Sequence, residues 1–341
     1  MVQGRRVGMT EFELIARYFD RPVAPGGPVA RGIGDDCALL DFGGSNQLAV
    51  TTDMLIAGRH FFPADAADSV GHKALAVNLS DLAAAGARPR CFFLALGLPT
   101  ADETWLAGFS AGLSALADEH GCVLAGGDTN RTPVTAGRAG PITICITALG
   151  EVERGAALTR AGARVGDDIW VSGQLGDAAL ALEERAGNAT LAQVEAQAAR
   201  LRLERPTPRV ILGVALRRTA TACIDISDGF IGDLGHVLAR SGVGASVNWA
   251  ALPCTAAMRR QPQATQLRCV LAGGDDYELL FTAPPSSRPA VQAAGAEAHT
   301  PVTRVGAITE GRDLVVRDEV GLPIDMPFKA YDHFGSYDAT P

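Results

Sequence analysis

Aspartate recurs where the chain turns through glycine or leaves an apolar run: GIGDD at 32–36, TTD at 51–53, LAGGDT at 124–129, IDISDG at 224–229 and LAGGDD at 271–276. Asp is a poorer helix former than Glu and favours caps, turns and ion-binding loops. Two readings compete. Scattered turn formers and caps need not converge, whereas carboxylates at strand ends commonly gather at one cleft. Asp81 weighs toward the second, because it lies in a helical run among Leu79, Leu82, Ala83 and Ala84 with no basic partner close in sequence. A carboxylate buried there without a cation or hydrogen bonds is costly. The alternative is an exposed polar face made of Lys73, Asn78 and Asp81.

A hard cation accounts for the set. Mg²⁺ prefers oxygen ligands, is held by a few carboxylates, and completes its shell on substrate phosphates. The adjoining glycines let backbone N–H groups approach a phosphate, and the hydroxyls of Thr51, Thr52 and Ser227 add neutral oxygens. The chain has 28 Arg but only two Lys, Lys73 and Lys329, and neither stands in a GxxxxGK loop. Metal ions, with Arg, would therefore neutralise a nucleotide, and the chemistry expected is metal-dependent phosphoryl transfer. Other chemistries find no support. DISD at 225–228 lacks the DxD spacing of an aspartyl-phosphate motif, no GxSxG or HExxH occurs, and GIGDD lacks the third glycine of a dinucleotide fingerprint. The six His form no close pair, and His60, soon after TTD, has the one suggestive position.

Positioning these groups falls to interleaved helices and strands. Thr10 with Glu13, and Thr100 with Glu103, have the capping-box pattern before helical runs; a third helix is predicted from about Ser69 to Ala85, and others at 177–186, 190–203, 208–219 and 229–240. Apolar or β-branched runs at 48–52, 91–96, 142–149, 169–172, 222–226, 269–272 and 278–282 read as strands. The class is mixed α and β. Its 341 residues amount to two domains at about 150 residues each. A composition shift near 150–165 sets the expected division at 1–155 and 156–341. The repeated LAGGD at 124–128 and 271–275 is too short to imply duplication and reads as one turn device used twice.

Composition narrows the partners. Apolar residues make up 47% and charged residues 20%, which rules out a disordered or fibrous chain. Asp outnumbers Glu by 24 to 14, and Gly reaches 39, so turns are abundant and some present carboxylates. A net charge of −8 and no basic cluster argue against nucleic acid. Seven Cys without a CxxC pair fit reduced thiols, and no apolar run is long enough to span a bilayer, so the expected location is the cytoplasm.

Several segments taken together resemble the thiamine-monophosphate kinase family of the aminoimidazole-ribonucleotide-synthetase-like superfamily. They are GIGDDCALL at 32–40, TTDMLIAGRHF at 51–61, KALAVNLSDLAAAGARP at 73–89, GGDT at 126–129, LTRAGARVGD at 158–167, IDISDG at 224–229, GGDDYEL at 273–279 and YDHF at 331–334. The resemblance implies transfer of the ATP γ-phosphoryl group to thiamine monophosphate, the final step of thiamine diphosphate biosynthesis. It implies an N-terminal α+β domain whose sheet pairs in a barrel-like homodimer and a C-terminal α/β domain with a mixed sheet. Several Mg²⁺ ions would be held by Asp36, Thr51, Thr52, Asp53, Asp81, Asp128, Asp225 and Asp228. ATP would meet Gly127, Asp128, Arg160 and Ser227, and the thiamine phosphate would meet His60, Asp275 and Phe328. Asp275 stands where the family often has Glu, and Phe328 where it commonly has Trp. No residue is expected as covalent nucleophile or required general base, since the acceptor phosphate, with a second pKa of about 6, is already mostly ionised at neutral pH. A sibling ATP-dependent synthetase and a nonenzymatic metal- or nucleotide-binding protein remain as alternatives; His60 and the YDHF tail weigh against the first.

Overall fold

The structure, a computed structural model, describes residues 10–20, 26–135 and 138–326. In the first half lie β1 (Val29–Arg31), β2 (Ala38–Leu40), β3 (Asn46–Ile56), β4 (Arg88–Leu98), β5 (Val123–Arg131), a short hairpin β6 (Val134–Thr135) and β7 (Arg138–Ala139), and β8 (Thr143–Glu153). Six of them form a sheet in the order β1-β2-β3-β8-β4-β5, in which only β4 and β5 run parallel. The second half supplies β9 (Asp168–Ser172), β10 (Ala222–Asp225), β11 (Gly244–Asn248), β12 (Leu279–Ala283), β13 (Val302–Thr309) and β14 (Leu314–Arg317), ordered β10-β12-β9-β13-β11-β14. The fold is thus mixed α/β with two mixed sheets, and the first sheet is open rather than closed into a barrel.

Side-chain alternation orients the first sheet. Along β8, Ile144, Ile146, Ala148 and Val152 are buried while Cys145 and Thr147 are half-exposed, the period of two that a one-sided sheet requires. The buried face packs against α2 (Ala67–Ala84), which lies beside α3 (Glu103–Glu119). The opposite face carries exposed Met54 and Phe93. On its other side α2 meets β10 and α6 (Val210–Leu216), so it is enclosed by both halves of the chain. Its apolar residues accordingly surround the whole helix instead of forming a stripe. One hydrophobic core joins Leu75, Leu79 and Ile146 to Leu212, Cys223 and Phe281 across the two sheets.

The remaining helices are α1 (Glu11–Tyr18), α4 (Asp177–Arg185), α5 (Gln193–Glu204), α7 (Phe230–Ser241), the short α8 (Ala256–Arg259) and α9 (Gln263–Leu267), and α10 (Arg288–Glu297). Thr10 and Glu13 form the expected capping box on α1. On α3 the cap is Asp102 instead of Thr100, its carboxylate accepting from the backbone of Thr104 and Trp105 at 2.9 and 3.1 Å. The run at 269–272, read as a strand for its apolar content, is part of a wide π-helical turn over Arg268–Ala272. Buried Cys269, Val270 and Leu271 pack there like the inside of a helix, and burial alone does not distinguish the two. Strand β5 escaped prediction because its Gly-Gly-Asp-Thr-Asn sequence lies on a sheet edge with no buried face to impose alternation.

Two glycines set how closely helices approach α2. A Cβ on Gly112 would lie 1.8 Å from the Asp68 carbonyl oxygen, and one on Gly213 would lie 2.0 Å from that of Ala83. Gly213→Ala should destabilise the protein by about 1–3 kcal/mol, the usual cost of overpacking. Gly235→Ala in α7, where nothing lies within 4 Å, should be neutral or stabilising. Equal melting temperatures for the two variants would refute the close-approach argument.

Candidate active site

The end of β10, the loop between β1 and β2, and α2 bring Asp225, Asp36 and Asp81 together with a carboxylate oxygen of each within 4.8 Å of the others. Asp36 and Asp225 are buried and Asp81 is half-buried. Each has a local hydrogen-bond donor. The Thr51 hydroxyl, on β3, donates to Asp81; Ser80 Oγ donates to Asp225 at 2.6 Å; and Arg160 Nη2 and Nε donate to Asp36 Oδ1 at 2.6 and 3.2 Å. Asp53 lies two residues beyond Thr51, on the same face of β3. All four acids open into a cleft of about 1160 Å³ that also reaches Arg160, Ser227, Asp228, His60 and Asp275.

Burial dominates the electrostatics. It pushes the Asp36 carboxyl up to about 7, against the opposing pull of Arg160 and with help from Asp225. Asp53 and Asp225 are each pushed up to about 6 by desolvation, although hydrogen bonds from Asp81 and Ser80 respectively oppose the shift. Asp81 rises well above the ordinary carboxylate value through burial and the charges of Asp53, Asp225 and Asp36. One guanidinium serves this group: burial disfavours its charge, but Asp36 holds Arg160 firmly protonated. An all-oxygen donor set with more negative charge than local protein cations can balance fits a hard divalent ion.

Not every expected residue joins the three clustered carboxylates. Thr52 lines the same cleft, but its side chain turns to the uncovered face of the sheet, where its hydroxyl meets that of Thr147 at 3.0 Å. Asp128 lies on β5, and the ladder Asp53–Ile146–Leu94–Gly127 puts three strand spacings, about 14 Å, between Asp53 and its neighbour Gly127. By alternation Asp128 faces the uncovered side, and its carboxylate accepts from Asn130 Nδ2 at 2.6 Å. Gly127 is required by pairing itself, since a Cβ would lie 1.9 Å from the Leu94 carbonyl oxygen. His60 lies in the turn after β3 and its Nδ1 accepts from the Ile56 backbone at 3.0 Å, which puts the ring proton on Nε2. Asp275 adopts a left-handed backbone with φ of 67° and donates its N–H to the Ser227 carbonyl at 2.9 Å, so those two loops are joined. Phe328 and the YDHF tail lie outside the described residues.

Sequence reasoning missed three residues that shape the site. Asp233 is buried, and its carboxylate accepts from the backbones of Ser227, Asp228 and Gly229 at 3.1–3.2 Å, holding the loop before α7. Its signal was an acid in the first turn of a helix that follows a glycine. Asp35 accepts from the Arg160 backbone at 2.8 Å and fixes the arginine's origin. Lys73, a member of the exposed polar face that stood as the alternative for α2, is only 3% exposed and pairs with Asp275. The correction follows from the second sheet: β10 and α6 cover the side of α2 that a one-sheet domain would leave to solvent.

Known proteins define the class. The family model for AIR synthase related protein, N-terminal domain, matches residues 34–152, and that for its C-terminal domain matches residues 164–319. The thiamine-monophosphate kinase of Salmonella typhimurium is 46% identical over 332 residues, spanning 96% of this chain and 98% of that protein. The crystal structure of thiamine-monophosphate kinase from Stenotrophomonas maltophilia K279a superposes with a TM-score of 0.75 at 46% identity, covering 86% of this chain and 92% of that one. AaThiL complexed with AMPPCP and TMP gives a TM-score of 0.78 at 29% identity, covering 95% and 97%. The chain belongs to the thiamine-monophosphate kinase family of AIR synthase related proteins. It is an enzyme, a phosphotransferase whose acceptor is a phosphate group.

A carboxyl group whose pKa is raised on folding binds its proton more tightly in the native chain than in the unfolded one. Its contribution therefore becomes less favourable as pH climbs from the ordinary 3.8 to the folded value, about 6 for Asp53 and Asp225 and about 7 for Asp36. In chelator, the melting temperature should fall between pH 5 and 7 as these carboxylates ionise. Added Mg²⁺ should raise it more at pH 7.5 than at pH 5.5. A Mg²⁺ effect independent of pH would count against a cation site built from these acids.

Proposed function

We propose that the protein transfers the γ-phosphoryl group of ATP to thiamine monophosphate, giving thiamine diphosphate and ADP, the final step of thiamine diphosphate biosynthesis. The observation that carries this reading is the Asp36–Asp81–Asp225 cluster at the base of a cleft large enough for two phosphorylated ligands. The relatives' activity and the two ligands held by AaThiL support the choice of substrates.

In this reading Asp36, Thr51, Thr52, Asp53, Asp81, Asp128, Asp225 and Asp228 hold Mg²⁺, and the clustered carboxylate oxygens of Asp36, Asp81 and Asp225 fit it. When bound, several such ions neutralise phosphate charge and draw electron density from the transferring group. The other contributions belong to the chain. Arg160, fixed by Asp35 and Asp36, keeps a positive charge at the cleft. Asp233 holds the 227–229 turn so that Ser227, with Gly127 and Asp128, faces ATP. His60, Asp275 and Phe328 hold thiamine monophosphate, with His60 donating through Nε2. The acceptor oxygen attacks in line without a protein nucleophile or base, because at a second pKa of about 6 it is already ionised.

Thr52 and Asp128 face the uncovered side of the first sheet, where exposed Met54, Phe93 and Val123 also lie. A homodimer that pairs this sheet with its copy would cover that face and place both residues within reach of phosphate. The division of labour then follows the sheets: residues 1–155 bind metal and nucleotide and dimerise, and 156–341 close the cleft. The seven free thiols suit a reducing cytoplasm.

Steady ADP formation should require thiamine monophosphate and Mg²⁺ together. A sibling synthetase would ignore that acceptor, and a binding protein would not turn over. Asp81→Asn should lower kcat by about 10²-fold or more, as removal of a transition-state charge partner does. It should also raise the melting temperature in chelator, because it removes one of several crowded carboxylates. Full activity in Asp81→Asn, or a phosphorylated side chain trapped during turnover, would refute the mechanism.

A further inference from the structure

Lys73 lies in α2 with its Nζ 3.2 Å from Asp275 Oδ1, the one ion pair it makes among the described residues. It is 3% exposed, yet it lines a small cavity of about 80 Å³ with Phe62, Ser69 and Glu204. That cavity shares Arg59, His60, Leu182 and Asp275 with the large cleft and is therefore its annex. Asp275 is held from three sides: its N–H donates to Ser227, its carboxylate accepts from the Tyr277 hydroxyl at 3.0 Å, and Lys73 approaches from α2. An ammonium has three protons, and this ion pair uses one.

Position along the helix separates Lys73 from the carboxylate cluster. Lys73 precedes Asp81 by eight residues, a rise of about 12 Å and roughly 80° past two full turns, so the two project from adjoining faces of α2, Asp81 into the cleft and Lys73 into its annex. Lys73 lies too far along the helix to pair with the three carboxylates themselves, so it can serve a phosphate oxygen turned away from them. It stands beside His60 and Asp275, where the functional reading above puts the acceptor. The choice of residue is informative in a chain with 28 Arg and two Lys. Arginine's planar fork suits the carboxylate pairs elsewhere, whereas a compact ammonium offers protons to a phosphate without filling the annex.

We propose that Lys73 contacts the phosphate of the acceptor and makes the enzyme select phosphorylated over unphosphorylated thiamine. The inference rests on the functional reading above. Asp275 holds the ammonium at the annex, and an incoming phosphate takes its remaining protons. The competing role is a structural clip in which Lys73 only neutralises Asp275.

The test compares wild type, Lys73→Met and Lys73→Met/Asp275→Asn by steady-state kinetics and by calorimetric titration with thiamine monophosphate and with thiamine. Lys73→Met should raise KM for thiamine monophosphate at least tenfold, leave KM for ATP within twofold, and lose at least tenfold of the preference for thiamine monophosphate over thiamine. The double variant should keep that loss, since restoring neutrality does not restore a phosphate contact. An unchanged preference in Lys73→Met, or its recovery in the double variant, would overturn the assignment in favour of the clip. If Lys73→Met does not fold, Lys73→Gln, which keeps a polar end on the same stem, carries the same comparison. Wild-type protein that forms no ADP with thiamine monophosphate would refute the functional reading itself; wild-type turnover with unchanged selectivity in the variants would remove the Lys73 assignment alone.

Discussion

Carboxylates gathered out of water repel one another, and the architecture around the cleft is organised by that constraint. Removing a charge from solvent is costly unless a partner meets it. The chain contains two answers to that problem within one molecule. Glu278 is completely buried, but Arg202, Arg209 and Ser172 surround its carboxylate with donors at 2.5–2.7 Å. Among the described residues, Arg160 is the guanidinium that pairs with Asp36 in the group Asp36, Asp53, Asp81 and Asp225, and burial raises the pKa values of all four. The first arrangement is complete and structural. The second is incomplete in the protein alone, and the deficit is of the sign and hardness that divalent cations supply.

That deficit persists because α2 is enclosed. In a helix packed on one sheet, Asp81 would turn toward solvent and lose its repulsion. Here β3 and β8 cover one side while β10 and α6 cover the other, and Gly112 and Gly213 let the neighbouring backbones approach closely. The same enclosure buries Lys73 two turns earlier. A single helix thus fixes both ends of the cleft, and the core that joins the two sheets holds it in place. The fold maintains the distance between the acid end and the annex through covalent helix geometry, not through loops.

Much of this arrangement was legible in the residues, for reasons that differ from place to place. The Asp-Gly turns announced themselves because few other residues accept such backbones, and α2 was visible from the helical run HKALAVNLSDLAAA ended by Gly86. Mixed α/β organisation followed from the alternation of period-two and helical patterns. Three features were hidden for physical causes. Strand β5 is polar and glycine-rich because it occupies an edge. The π-helical turn at Arg268–Ala272 has a strand's composition because both elements are buried. An exposed face for Lys73 stayed open as an alternative because much of the surface that covers it comes from residues more than a hundred positions away. Local patterning reports how an element meets one neighbour, and α2 has several.

The two faces of the first sheet complete the argument. Asp53 and Thr51 face α2 and the carboxylate cluster, while Thr52 faces the other way to Thr147, although all three belong to one TTD triplet. Alternation in a strand turns consecutive side chains to opposite faces of the sheet, although the cleft extends far enough to be lined by Thr51, Thr52 and Asp53 alike. A triplet in which every member acts on phosphate must therefore use a main-chain oxygen, or work on both sides of its sheet. Asp128 makes the second option concrete, since it too faces the uncovered side, three strands away at the free edge. The outer face of this open sheet thus combines polar oxygens with exposed apolar side chains. In the functional reading proposed above, pairing that face with a copy of itself would cover the exposed apolar side chains and bring the outward-facing oxygens into a closed site.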